Sequence, residues 1–279
     1  MNIPLLKKAL SNPLALSGFI IIMVVLTLSM LAPFIAPYDP NDINVKAILL
    51  EPSPQHWLGT DGLGRDVLSR MLHGGRISLL VGLVAVGIST IIGVLLGSVA
   101  GFYRGWTDTF IMRLVDVMLS IPSFFLILAV IAFLTPSITN IMIVIGLTSW
   151  MGVARLVRAE FLSIREREFV MASRTLGAKD ARLIFTHLLP NSLTPIIVSA
   201  ILGVAGAVLM ESGLSFLGLG VQAPQASWGN ILTDGKEYIQ FAWWLSLFPG
   251  LAILVTVLGY NLLGEGLRDA LDPRSNARK

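Results

Sequence analysis

Charged side chains leave long gaps along this chain, and the gaps set its architecture. Residues 9–38, 77–103, 117–154, 188–210 and 238–264 contain no Asp, Glu, Lys or Arg. A hydrocarbon core about 30 Å thick takes roughly 20 apolar residues per helix, so each gap is long enough to cross a membrane. The run 117–154 holds 38 residues, about 57 Å as one helix, which is too long for a single crossing. Thr135-Pro136-Ser137 breaks it into two helices joined by a turn. Six crossings are therefore expected. The apolar stretch 212–233 is not counted, because Gly213, Gly218, Gly220, Pro224 and Gly229 interrupt it and Gln222, Gln225 and Asn230 add polar groups. Backbone without partners is costly in lipid, so this stretch should be a loop or a re-entrant piece buried in protein.

Composition agrees with the pattern. Of 279 residues 54% are hydrophobic and 13% charged, with a mean hydropathy of +0.78, whereas a soluble domain is about one quarter charged. Disorder is excluded, and the composition argues against a soluble single-domain enzyme, because so apolar a chain could not cover itself with polar side chains. No Cys is present, which removes disulfides, thiolate metal sites and cysteine nucleophiles. The net charge of +3 gives no basic stripe for nucleic acid. The charges do fix orientation, because loops on the cytoplasmic side carry an excess of Lys and Arg. With the N-terminus inside, fifteen of the twenty basic residues fall on inner segments, leaving only Lys46, Arg65, Arg70, Arg76 and Lys236 outside. Both termini are expected in the cytoplasm. The first apolar run is longer than a signal h-region and lacks an A-x-A site, so it reads as an anchor helix.

Small residues mark the helix faces meant for close packing. Ala85, Ser89, Gly93, Gly97 and Gly101 recur every four residues, as do Ser199, Gly203 and Ala207, with Glu211 continuing the second strip. Such strips let another backbone approach closely, either within this subunit or from a second membrane subunit. Arg113 and Asp116 are spaced to pair on one face near the inner boundary. Glu211 suits an interfacial or loop-capping role, or the lining of a pathway. Outside, Asp61, Arg65 and Asp66 are placed to pair with one another or to contact a delivering protein.

The segment 155–187 is too charged for lipid, with seven basic and four acidic residues. Phe169, Ala172, Ser173 and Leu176 are spaced as one helical face, and Gly177 then ends that helix as a C-terminal cap would. A second short helix is expected, with Ala181, Ile184, Phe185 and Leu188 on its apolar side and Lys179, Arg182 and Thr186 opposite. Pro190 closes the unit. Such a piece should lie on the membrane and show its polar face to a soluble partner, or else set topology by contacting anionic lipid.

The run EFVMASRTLGAKDARLIFTHLLPN resembles the EAA loop of ABC-importer permeases, in which a short helix docks into a groove of a cytoplasmic ATPase. The pattern E-A-A, three residues, G, nine residues, I-x-L-P falls on Met171, Ala172, Ser173, Gly177, His187, Leu189 and Pro190. Met171, Ser173 and His187 depart from it, so the loop's first contact is not a carboxylate here. His56-Trp57-Leu58-Gly59-Thr60-Asp61 with Gly64-Arg65-Asp66, the ESGLSFLGLG run from Glu211 followed by Trp228-Gly229-Asn230, and the ending from Gly264 to Pro273 are similar to the second permease type of dipeptide, oligopeptide or nickel importers. The matches extend from about residue 52 to 273.

That resemblance implies an all-α type I importer fold of six transmembrane helices in the bacterial inner membrane. It implies an N-terminal anchor and extracytoplasmic segment (1–75), a permease core (76–273, with the EAA loop at about 161–191) and a cytoplasmic tail (274–279). Phe169, Met171, Ala172, Ser173, Gly177, Ala178, Lys179, Asp180, Arg182, Leu189 and Pro190 would couple to the ATPases, while Glu211, Ser212, Phe216 and Trp228 would serve an outer gate or the pathway. The chain itself has no G-x-x-x-x-G-K-[ST] phosphate loop and no H-E-x-x-H. The resemblance therefore implies a non-catalytic subunit with no cofactor of its own, ATP and Mg being bound by two partner ATPases. A second homologous permease, an extracytoplasmic substrate-binding protein and membrane lipid complete the expected partners. The substrate would be a di- or oligopeptide, or in the same architecture nickel or glutathione. A self-contained secondary transporter or channel would need charges at mid-membrane depth, and the helix centres hold none.

Overall fold

The computed structural model describes residues 11–271, and these are helical with no strand. Ten helices carry the architecture: α1 (Pro13–Met30), α2 (Val67–Tyr103), α3 (Gly105–Ser120), α4 (Ser123–Ile131), α5 (Ile138–Leu147), α6 (Trp150–Ile164), α7 (Glu168–Thr175), α8 (Leu189–Phe216), α9 (Trp228–Glu237) and α10 (Trp244–Leu271). Five helical stretches are long and apolar enough to cross a membrane, or six when a bent pair counts as one. The bent pair is the third crossing, and it differs from the expected straight helix. Pro122 cannot continue the α3 ladder, and Ile121 before it is extended, so α4 leaves α3 at 84°. With nine residues, α4 spans only about 13 Å. The expected break at 135–137 is present as well, with Ser137 capping α5 by accepting from Asn140 N at 3.1 Å.

α2 is the central pillar. Asp66 caps it, its Oδ2 accepting from Ser69 N at 2.8 Å, and its 37 residues reach about 55 Å. The boundary expected at 75/76 falls inside this one helix. The strip Gly93, Gly97, Gly101 is filled from within the subunit: a Cβ on Gly97 would stand 2.5 Å from the Ala154 carbonyl oxygen, and one on Gly101 would stand 2.9 Å from that of Arg158. α2 and α6 thus touch backbone to backbone, which settles the first small-residue strip as internal packing. Lipid tails are as apolar as Leu, so this kind of close fit, rather than apolar burial, is what joins helices inside a membrane. Elsewhere along α2, Leu80, Leu83, Ile91 and Leu95 are exposed, an arrangement suited to lipid and costly in water.

α1 packs beside α10, with Ile22, Val25 and Leu26 set against the cluster that holds Ile253 and Tyr260. The basic residues expected at 7, 8, 274, 278 and 279, and the tail 274–279, lie outside the described residues.

Candidate functional site: an inner elbow and an outer closure

α6 carries the chain out of the membrane at Ile164, and its exit is bolted down. Arg165 Nη1 donates to the Phe102 carbonyl at 2.7 Å, Arg104 Nη2 pairs with Glu166 at 2.8 Å, and Arg158 Nη2 donates to Asp108 at 2.7 Å. Burial and the neighbouring guanidiniums of Arg104 and Arg174 lower the Arg165 pKa. Asp116 pairs with Arg155 of α6 and not, as expected, with Arg113, which is exposed and makes no ion pair among the described residues. Helical spacing made the local pair available, but a partner from another helix holds the carboxylate instead.

α7 ends in a Schellman turn. Gly177, at φ +80°, donates to Arg174 O at 3.0 Å, and Ala178 N donates to Ser173 O at 3.1 Å, the paired bonds that satisfy the last carbonyls of a helix. The expected second short helix is not a separate element. Asp180–Arg182 runs through a π-helical turn at Leu183–Leu188 directly into α8, giving one continuous helix over Asp180–Phe216. Pro190 therefore does not close the unit. It lacks an N–H and its ring crowds the carbonyl four residues back, and the widened turn just before it accommodates both demands.

The faces of the elbow also differ from the expected ones. Its buried side consists of Val170, Leu183 and Leu188, packed with Phe161, Ile164 and Ile196. Ser173 Oγ and His187 Nε2 meet at 3.2 Å, and the Phe169 and His187 rings lie 6.1 Å apart. Leu176 is 89% exposed and Phe185 67%, with Phe169 and Met171 also exposed. Ala172, Lys179, Asp180, Arg182 and Pro190 are exposed, while Ala178 and Leu189 are half-buried. The spacing identified an apolar stripe correctly, but the stripe points away from the chain's own core, which needs only Val170 from α7. Sequence reasoning missed the Ser173–His187 bridge and the Arg158–Asp108 pair. Their signal was faint: a hydroxyl and an imidazole in place of two apolar motif residues, and an isolated acid at the start of α3.

At the opposite end the four charges Asp61, Arg65, Arg70 and Asp234 form one network. Arg65 Nε lies 2.7 Å from Asp61 Oδ2, Arg70 Nε 3.4 Å from the same oxygen, and Arg65 Nη2 3.3 Å from Asp234. Asp66 turns instead to His56, at 2.9 Å. The uncounted stretch 212–233 proves to be the last turn of α8, a loop at 217–227 and the start of α9. Glu211, Ser212 and Trp228 are buried and Phe216 is exposed, with Lys236 Nζ 5.2 Å from the Phe216 ring centre. Trp228 Nε1 donates to the Met71 carbonyl at 3.0 Å, tying α9 to α2. Between α2, α5, α6 and α8 lies a groove of about 280 Å³, with Ser89, Thr90, Ser149, Gly152, Ser199 and Gly203 among its lining.

Comparison with known proteins fits this arrangement. Residues 93–276 match the family model of the binding-protein-dependent transport system inner membrane component, and residues 6–52 match that of the N-terminal TM domain of oligopeptide transport permease C. The chain is 46% identical over 268 residues to the dipeptide transport system permease protein DppC of Alkalihalophilus pseudofirmus, covering 96% of this chain and 88% of that protein. It is 41% identical over 264 residues to the oligopeptide transport system permease protein OppC of Bacillus subtilis, with 95% and 87% covered. Among solved structures, the inward-facing MetNI methionine ABC transporter shares the fold, with a TM-score of 0.59 at 18% identity over 72% of this chain and 96% of that one. The chain belongs to the multi-pass inner-membrane permeases of binding-protein-dependent ABC importers, in the branch that holds the dipeptide and oligopeptide C-type subunits.

Proposed function

We propose that this chain forms half of a translocation pathway for di- or oligopeptides and hydrolyses no ATP itself. A second, homologous permease completes the pathway, an extracytoplasmic binding protein delivers the peptide, and two cytoplasmic ATP-binding subunits supply the work with their own ATP and Mg. α1 anchors the chain in the membrane, the segment between α1 and α2 shapes its outer side, and α2 to α10 form the core that moves.

The observation that carries this reading is the elbow's outward face. Phe169, Met171, Leu176 and Phe185 are exposed, as are Lys179 and Arg182, on α7, the turn after it and the first turns of the helix that leads into α8. An apolar patch rimmed by charge, which the chain does not cover, is what a protein partner recognises. The elbow's inward face is held by Val170 and the Ser173–His187 bridge, and the helix that follows is continuous with α8. Force applied at α7 therefore reaches a spanning helix across the Gly177 turn through these side-chain contacts, as rigid-body switching between inward and outward openings requires. Ser89, Thr90, Ser149 and Ser199 give the groove neutral hydroxyls, which suit a substrate rich in amide groups. Glu211, Ser212, Phe216 and Trp228 belong to an outer closure above it.

The test is co-purification and uptake with the full set of subunits. Leu176→Asp with Phe185→Asp is expected to release the ATPases and abolish labelled-dipeptide uptake while leaving membrane insertion intact. Retained ATPases with normal uptake would remove the elbow from the coupling path.

A further inference from the structure

Three hydroxyls from three separate segments converge on one carboxylate near the outer ends of the spanning helices. Glu211 is fully buried. Its Oε2 accepts from Ser78 Oγ of α2 at 3.2 Å, and its Oε1 accepts from Ser215 Oγ at 2.7 Å and Ser227 Oγ at 2.9 Å. Each hydroxyl also accepts a backbone N–H from the outer segment. Ser78 takes Trp228 N, Ser215 takes Val221 N and Ser227 takes Asn230 N, each at 3.2 Å. A serine that accepts one N–H still has a single proton to donate, and here all three protons go to the same acceptor. The loop at Val221 and the first turn of α9 are thereby tied to α2 and α8 through one side chain.

We propose that Glu211 is the clasp of the outer closure, a positioning residue whose carboxylate holds 217–227 and the start of α9 down onto α2 and α8. The proposal rests on the reading of that segment as a closure. Three hydroxyls thus depend on its two oxygens for an acceptor. Glutamine has nearly the same shape but replaces one acceptor oxygen with an NH2 group, so with its carbonyl toward Ser215 and Ser227 it meets the Ser78 hydroxyl donor to donor and loses that bond while hardly disturbing the packing.

The absence of Cys from the sequence allows single reporter thiols. Ala226→Cys sits in the closure at 6% exposure, and Ala242→Cys, at 0%, sits in the separate outer cluster with Val67, Trp244 and Leu245. The full chain in its assembled complex, in vesicles with the outer face accessible, is treated with a membrane-impermeant maleimide. Glu211→Gln is expected to speed labelling at 226 about fivefold, the effect of losing one hydrogen bond, with 242 unchanged. Glu211→Asp keeps the acceptor and should fall between parent and Gln. Unchanged labelling at 226 overturns the clasp. Equal acceleration at 226 and 242 overturns it too, by making Glu211 a residue of the general fold, and an Asp variant faster than Gln overturns the role of the paired acceptor oxygens. Should the Gln variant fail to insert, Ser227→Ala with the same reporters is expected to give a several-fold rise at 226 alone, and no rise overturns the proposal. Labelling needs no transport, so this result stands apart from whether the chain carries peptides.

Discussion

Ser173 Oγ of α7 and His187 Nε2 at the foot of the fifth span meet at 3.2 Å. The sequence separates them by fourteen positions, yet this bridge and Val170 are what fasten the inner helix to the membrane core. Both residues stand where the EAA pattern has apolar ones, so the departures from the pattern compensate each other.

Removing either side of that bridge should loosen coupling rather than assembly. One neutral hydrogen bond is worth about 1 kcal/mol, so Ser173→Ala or His187→Leu is expected to reduce substrate-stimulated ATPase activity and uptake several-fold, with ATPase co-purification retained. The double variant should lose little more than either single one, because one interaction is being removed twice.

Gly177 is held at φ +80° with open space where a Cβ would stand. The penalty for a side chain is therefore conformational alone, about 1 kcal/mol for Ala. Gly177→Ala should raise hydrogen exchange in 168–178, and Gly177→Asn should do so less, since Asn tolerates this region better.

The α2–α6 seam makes a sharper contrast. Gly97→Val places its Cβ 2.5 Å from the Ala154 carbonyl oxygen and is expected to cost about 3 kcal/mol through overpacking. Gly87→Ala in the same helix meets nothing within 4 Å and should be neutral or stabilising by up to about 1 kcal/mol from helix propensity. Melting temperatures in detergent would separate the two.

In the outer charge network, Asp61 serves two buried arginines. Asp61→Asn leaves Arg65 and Arg70 without their nearest carboxylate and is expected to destabilise the outer segment by about 3 kcal/mol or more. Asp234, whose side chain is 41% exposed, should tolerate Asn far better. Burial raises the Asp234 pKa above its ordinary 3.8 even beside Arg70 and Arg65. A raised acid stabilises the fold fully below the ordinary value, and that contribution is lost as pH rises through the folded-state value. The melting temperature of Asp234→Asn should accordingly vary less than the parent's across mildly acidic pH.

The spans were legible because lipid imposes a rule on every residue of a crossing: runs without charge and a turn at 135–137 mark them directly. The motif around Gly177 and the outer Gly-rich blocks were legible as a family resemblance, which the relatives then bore out. What escaped were features decided by distant partners or by single backbone defects. Pro122 was one residue inside an apolar run, and only the fold shows that it divides a crossing. Pro190 looked like a terminator, but a turn of altered pitch absorbs it. Asp116 had a helical neighbour of opposite sign, yet Arg155 claimed it from another span. The apolar stripe of α7 was recognised by its period, and periodicity does not say whether a stripe faces the chain's own core or another molecule.

The contact of α2 with α6 at Gly97 and Gly101 leaves no clearance, since carbonyl oxygens occupy the space where side chains would otherwise interleave. Two cylinders keyed together in this way cannot slip lengthwise past each other without first separating. Over the stretch they share, a tilt of one of these helices therefore carries the other with it.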